Sequence, residues 1–162
     1  MNAWISADKC ILVAFDSAVL ATFAGHAQLA PNATECGGIL LGMVRGNNLQ
    51  VTEATTPFPR DKQKRFCFER TPYGHRKIAA ARWLSSSGLV RYLGEWHTHP
   101  EDTPSPSEID RNEWATLAAR RKDGRPTLSI IVGRSNFYVA LVAKDGILQQ
   151  LVRYSAVEEV GE

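Results

Sequence analysis

Two histidines, His97 and His99, followed by Ser107 and Asp110, carry the densest chemistry in this 162-residue chain. The histidines stand at i and i+2 at the end of a predicted strand. Alternation therefore puts both imidazoles on one face, with Trp96 and Thr98 on the other. Two converging imidazoles are half of a transition-metal site. The missing ligand comes from the next element. Asp110 falls in the first turn of a predicted helix, behind a loop punctuated by Pro100, Pro104 and Pro106. That loop can fold the helix N-terminus back over the strand end. Two imidazoles and a carboxylate leave the fourth tetrahedral position to water, which is the arrangement of a catalytic zinc rather than a structural one.

Each part alone has a plainer reading. Ser107-x-x-Asp110 is also a capping box, and a His-x-His pair is often incidental. The joint pattern is more specific, arising by chance on the order of once in several thousand chains of this length. A cupin would need a glutamate shortly after the second histidine, where Thr103 and Pro104 stand. A metallo-β-lactamase would need an Asp-His pair where Glu101 and Asp102 stand, and an amidohydrolase barrel needs ~250 residues. His26 and His75 are solitary inside predicted helices, with no His, Cys or acid one turn on, and read as surface or packing residues.

The elements that must position these residues follow from periodicity and punctuation. Strands are expected at 11–15, 37–44, 49–54, 89–99, 127–133, 136–143 and 147–154, with a turn at Arg45-Gly46-Asn47-Asn48. The last of these reads as an edge strand, open to pairing with a partner or an extended substrate. A helix over 17–29 is closed by Pro31 and Asn32. A second begins with Thr71 as N-cap and Pro72 at its first position, stops at Gly88, and turns Ile78, Ala79, the Arg82 stem and Trp83 inward. The third opens at Ser107 and closes on Arg120, Arg121 and Lys122, a charge order that suits its dipole. Residues 56–65, basic and Pro-punctuated, should form an exposed loop. The expected fold is a single α/β (α+β) domain over residues 1–162, a mixed central sheet flanked by helices.

Composition excludes several classes. Hydrophobic residues make up 44% of the chain and charged ones 22%, which is incompatible with disorder. Nineteen basic against seventeen acidic side chains leave a net charge of +2, too little for nucleic acid or anionic lipid as main partner. The helix dipole explains Arg120-Arg121-Lys122 and nearby Arg125. No apolar run nears the ~18 residues of a membrane span, and the first residues lack a signal-peptide pattern. A soluble cytoplasmic protein is expected. Cys10, Cys36 and Cys67 form no C-x-x-C pair, which argues against a disulfide scaffold or a thiolate zinc knot.

His97-Thr98-His99-Pro100 with Ser107 and Asp110 resembles the JAMM motif of the MPN/JAB-domain metallopeptidases. Glu35-Cys36-Gly37-Gly38-Ile39-Leu40-Leu41-Gly42 resembles the family's second element, a glutamate opening a Gly-rich strand. Element order extends the likeness from about Cys10 to Ala143. It implies a cytidine-deaminase-like MPN fold, zinc as cofactor, His97, His99 and Asp110 as its ligands, and hydrolysis of peptide or isopeptide bonds. Glu35 then suits a general base that takes the water's proton and passes it to the leaving amine. Ser107 can donate to the developing oxyanion, an interaction typically worth ~3 kcal/mol. Glu95 shares the histidine face and is a rival base, one pleat farther from the strand end. Cys36 reads as packing, since no histidine is placed to activate it.

Family members include deubiquitinases, enzymes that trim ubiquitin-like sulfur carriers, and bacterial enzymes of anti-phage signalling (CBASS) operons. The last group resembles this chain in length and in its ECGG-type opening. The resemblance therefore implies release of a cGAS-like nucleotidyltransferase, or of a ubiquitin-like protein, from conjugates gripped by an extended C-terminal tail. Arg60, Lys62, Lys64 and Arg65, within residues 57–65, either form a plain solvated loop or would suit an acidic partner. A catalytically dead MPN scaffold is the competing reading. It fits less well, because such proteins usually lose ligands and Glu35, His97, His99, Ser107 and Asp110 are all present.

Overall fold

The computed structural model describes residues 2–155. The chain runs β1 (Ala3–Ile5), β2 (Leu12–Phe15), α1 (Ser17–His26), β3 (Gly37–Arg45), β4 (Asn48–Ala54), β5 (Lys62–Lys64) and β6 (Cys67–Glu69). It continues through α2 (His75–Ser85), β7 (Arg91–Thr98), α3 (Glu108–Arg120), β8 (Thr127–Val132), β9 (Phe137–Val142) and β10 (Leu148–Arg153). Eight strands close into a barrel in the order β1-β10-β9-β8-β7-β3-β4-β2, and β1 pairs with β2 to complete the ring. The β2–β4 and β7–β8 pairs are parallel and the rest antiparallel. The expected mixed sheet is present, curled on itself. β5 and β6 stand apart as a two-stranded hairpin.

Alternation along the strands builds two cores. Val13, Leu40, Val51, Leu93, Leu128, Ile130 and Val139 belong to the larger one, together with Trp96. From α1, Phe23 joins this core with its ring 5.1 Å from Trp96 and 5.5 Å from Phe137. Burying one such ring contributes about 2–3 kcal/mol. On the opposite strand faces, Trp114 and Ala118 of α3 cover Ile131, Tyr138, Ala140 and Val142. That second core seats the helix that carries Asp110.

Five expectations require correction. The 147–154 strand is not an edge: β10 pairs with β9 on one side and β1 on the other. β1, at three residues, is too short to show a period in the sequence. The basic 56–65 segment is exposed over most of its length, yet its end is strand β5, paired with β6 from Lys62–Glu69 to Lys64–Cys67. α2 begins at His75 with Gly74 at the N-cap, because Gly74 takes a positive φ of 84° that breaks any helical path from Thr71, whose N–H and hydroxyl donate to Asp61 instead. Its inner stripe is correspondingly short. Ile78 and Ala79 are half-buried, whereas Arg82 pairs with Glu53 and the exposed Trp83 ring is covered by the Arg91 guanidinium, 5.2 Å from its centroid. α1 likewise ends at His26 rather than Leu29, as Ala27 turns to extended ψ.

Candidate functional site

β7 leaves the barrel with Trp96 and Thr98 buried against the core, and Glu95 and His97 half-buried on the other face. The ladder continues one residue beyond the strand, where His99 donates its N–H to Val132 O at 3.0 Å. Both imidazoles therefore face one side at the rim. α3 arrives from the second core and is stopped by a capping box. Ser107 Oγ accepts from the Asp110 N–H at 3.1 Å, and Asp110 Oδ2 accepts from the Ser107 N–H at 2.7 Å. The two sequence readings of Ser107-x-x-Asp110 thus coexist. The cap fixes the carboxylate, and the carboxylate faces the histidines.

Three side chains converge on one point. His97 Nε2 lies 3.1 Å from His99 Nε2 and 3.2 Å from Asp110 Oδ1, and His99 Nε2 lies 3.3 Å from Asp110 Oδ2. Donors bound tetrahedrally to a metal at ~2.0–2.1 Å stand about 3.3 Å apart, so the spacing fits a divalent transition metal. Tautomer chemistry agrees. His99 Nδ1 faces Glu101 at 3.3 Å, which places its proton there and leaves the Nε2 lone pair toward the cluster. Among the described residues, these three form the group able to hold an ion.

Electrostatics mark the same spot. Burial alone would raise the Asp110 carboxyl, but the His97 and His99 rings beside it, when a proton rather than an ion sits between them and the carboxylate, hold it far below the carboxylate range. Burial works to lower His99, and the Asp110 and Glu35 carboxylates leave it above its ordinary value. Glu35 is the reverse case. Burial pushes its carboxyl up to about 7, against the pull of His99 and with a further rise from Asp110 and Glu101. Its Oε1 lies 3.9 Å from His99 Nε2, at the edge of the donor cluster.

The segment that delivers Glu35 is held from both sides. Its N–H donates to Lys64 O in β5 at 2.6 Å, and the Cys36 N–H donates to Thr98 Oγ1 at 3.1 Å. Gly37 follows because a Cβ there would collide with the Trp96 carbonyl across the β3–β7 ladder. Cys36 is buried and its thiol is pushed up to about 11 by that burial, which makes it a packing residue and no nucleophile. Glu95 shares the histidine face but is committed elsewhere. Arg70 grips it bidentately at 2.6 and 2.8 Å, and the Tyr92 hydroxyl donates to it at 3.0 Å.

A groove of about 820 Å³ contains the cluster, walled by Phe66, Phe68 and Arg70 of the hairpin side and by Ile109, Glu113 and Leu117 of α3. Ser107 lines it as well, with its hydroxyl proton free to donate, since the cap uses only the oxygen's acceptor capacity. Two contributors escaped the sequence reading. Gln28, fully buried, donates to Ala33 O and Arg65 O and accepts from Thr98 Oγ1, tying α1's exit to the hairpin and β7. His75 is buried against Asp61, fourteen residues earlier. No local spacing announces either contact.

Barrel and donor set together define the JAB type of domain. The chain belongs to that family: the model for prokaryotic homologs of the JAB domain matches residues 16–145. A protein of Pseudomonas aeruginosa named CD-NTase/cGAS isopeptidase is 49% identical over 146 residues, 90% of this chain and 92% of that one. Proteins of the same name from Escherichia coli and Vibrio cholerae are 34% and 35% identical, covering 81% and 79% of this chain and 82% and 80% of theirs. Protein DSY2949 of Desulfitobacterium hafniense, solved in solution, shares the fold with a TM-score of 0.59 at 19% identity, over 85% of this chain and 88% of that one.

Proposed function

We propose that this chain is a zinc-dependent isopeptidase of bacterial anti-phage defence, acting in the cytoplasm. Its substrate is a CD-NTase/cGAS-like nucleotidyltransferase joined to other proteins through an extended C-terminal tail. The observation that carries this reading is the convergence of His97, His99 and Asp110 beside buried Glu35, in a chain 49% identical to a named CD-NTase/cGAS isopeptidase.

His97, His99 and Asp110 would hold the zinc. When bound, zinc supplies Lewis acidity, polarising a carbonyl and lowering the pKa of a coordinated water from ~15.7 toward ~7. Glu35, poised near neutrality, takes the attacking water's proton and returns it to the leaving lysine amine. Ser107 Oγ–H donates to the oxyanion. Glu95 is left as the partner of Arg70, which stiffens the wall of the groove. The tail lies extended between the hairpin and α3, and Arg60, Lys62, Lys64 and Arg65 face the folded body of an acidic partner.

The test is cleavage of a purified nucleotidyltransferase conjugate, with zinc counted by elemental analysis. Near one zinc per chain and release of the free nucleotidyltransferase are expected. Zinc absent even after supplementation sinks the hydrolase reading. Cleavage confined to a ubiquitin-like sulfur-carrier fusion would reassign the substrate.

A further inference from the structure

Between β4 and α2 the chain leaves the barrel for residues 56–74, and the hairpin that walls the groove lies within this excursion. Its open end is closed by one side chain. Asp61, just before β5, accepts at Oδ1 from the N–H and hydroxyl of Thr71, at 2.8 and 3.0 Å, on the far side of β6. Its Oδ2 accepts from the Phe58 N–H at 2.8 Å and faces His75 Nε2 at 2.7 Å. All four contacts fall on one carboxylate whose side chain is wholly buried.

His75 carries the connection to the barrel. Its Nδ1 stands 2.7 Å from Thr55 Oγ1, which accepts from the Ile39 N–H of β3, and Thr55 O accepts from the Trp96 indole of β7. With the proton on Nε2, every member is satisfied. Nε2–H donates to Asp61, and Nδ1 accepts the Thr55 hydroxyl. Phe58 seals the ring edge-on at 4.7 Å, and Gly74 admits it, since a Cβ at that positive φ of 84° would stand 2.6 Å from the Phe58 ring. The trio has the composition of a nucleophilic triad, but His75 is fully buried, Thr55 is 4% exposed, and neither lines the groove. It is built to hold.

What it holds is the hairpin, and the hairpin holds Glu35 through Lys64 O. We infer that Asp61 and His75 are positioning residues for the reaction, clasping the hairpin so that it fixes the Glu35 backbone and the wall of the substrate groove. The link to catalysis rests on the isopeptidase reading above; the clasp itself does not. None of the proposed zinc ligands belongs to it.

The experiment is hydrogen exchange on the zinc-loaded chain, beside Asp61→Asn. That variant keeps the shape and turns amide protons toward donors already there. The amides of Glu35 and of β5 and β6 should exchange roughly tenfold faster, with β8 and β9 unchanged and zinc per chain unaltered. Conjugate cleavage should fall about tenfold, with most of the loss in kcat because the base is displaced. Thr71→Val, which removes one hydroxyl bond, should move the same amides less and covers the case in which Asp61→Asn fails to fold. Unchanged exchange at Glu35, or acceleration spread evenly over the barrel, overturns the clasp. Local loosening with native cleavage overturns its positioning role. Local loosening in a protein whose native form cleaves no conjugate supports the clasp and counts against the isopeptidase reading alone.

Discussion

Two clusters in this molecule are built from the same materials, histidine and aspartate, and differ in how their valences are met. In the closed cluster each donor has its acceptor: Thr55 to His75, His75 to Asp61, Phe58 and Thr71 to Asp61. In the open one, His97, His99 and Asp110 turn electron-rich atoms toward a common point, with neighbouring donors 3.1–3.3 Å apart, on the wall of a groove. Buried polar groups are normally paired. A set whose members can pair only with one another, and whose electron-rich atoms all turn to one accessible point, is arranged for something it must bind. Composition does not separate a structural histidine from a functional one. The direction and accessibility of the lone pairs do.

Breaking the open cluster should have the largest effect. His99→Ala removes one of three donors, and zinc content and conjugate cleavage should both fall to background, read by elemental analysis and gel. A variant with undiminished zinc would remove His99 from the ligand set. Glu35→Gln should sharpen the contrast, keeping zinc but losing hydrolysis by about 10²–10⁴-fold. It also has a stability signature. Because burial raises the folded-state pKa to about 7, the carboxyl's contribution is full below its ordinary 4.5 and is lost as pH rises through about 7. In chelated protein at pH 8, Glu35→Gln should therefore melt higher than the native chain, by an amount on the order of 2–3 kcal/mol. The gap should close toward pH 4.5. A gap that widens on acidification would mean that Glu35 is charged and well solvated in the fold.

The open cluster was legible in the sequence because its spacing is local. His97 and His99 share a strand face, and Ser107 and Asp110 share a helix turn, so each half follows from one period. The Gly-rich strand after Glu35 was equally plain. Closure of the barrel was not, since β1 spans three residues and its two partnerships join the ends of the chain. The closed cluster was missed for a related reason. Asp61, His75 and Thr55 sit on a loop, a helix start and a strand exit, and only tertiary folding aligns them. Thr71-Pro72 looked like a helix start because its cap chemistry is real. The positive φ of Gly74 postpones the helix to His75, and Thr71 donates to Asp61 instead.

Breaking the closed cluster should cost stability before chemistry. Removing one partner of a buried pair typically costs ~3–5 kcal/mol, so His75→Ala should lower the melting temperature clearly while zinc is retained. The pH dependence has a definite sign. Burial works to raise Asp61, but the bonds from His75, Phe58 and Thr71 leave its folded pKa below the ordinary 3.8. Its contribution is then present above 3.8 and lost as pH falls through the folded value. Native protein should lose stability steeply below pH 4, and Asp61→Asn less steeply. Parallel curves in acid denaturation would show that the carboxylate's charge contributes nothing there.

The smallest effect belongs to a residue that touches both faces of the site's frame. Thr98 lies between His97 and His99 yet points away from them. Its hydroxyl accepts from the Cys36 N–H and donates to Gln28, and so steadies the segment that presents Glu35. Serine preserves both bonds and deletes one buried methyl, at a cost of about 1 kcal/mol. Thr98→Ser should therefore cleave conjugate at the native rate with a slightly lower melting temperature. Thr98→Val keeps the methyl and loses the hydroxyl, leaving the Cys36 N–H and Gln28 Oε1 without their partner. It should fall further in both rate and stability, because an unmet buried polar group costs more than a lost methyl. If the two variants behave alike in the cleavage assay, the hydroxyl does not position Glu35, and that work falls to the Lys64 carbonyl.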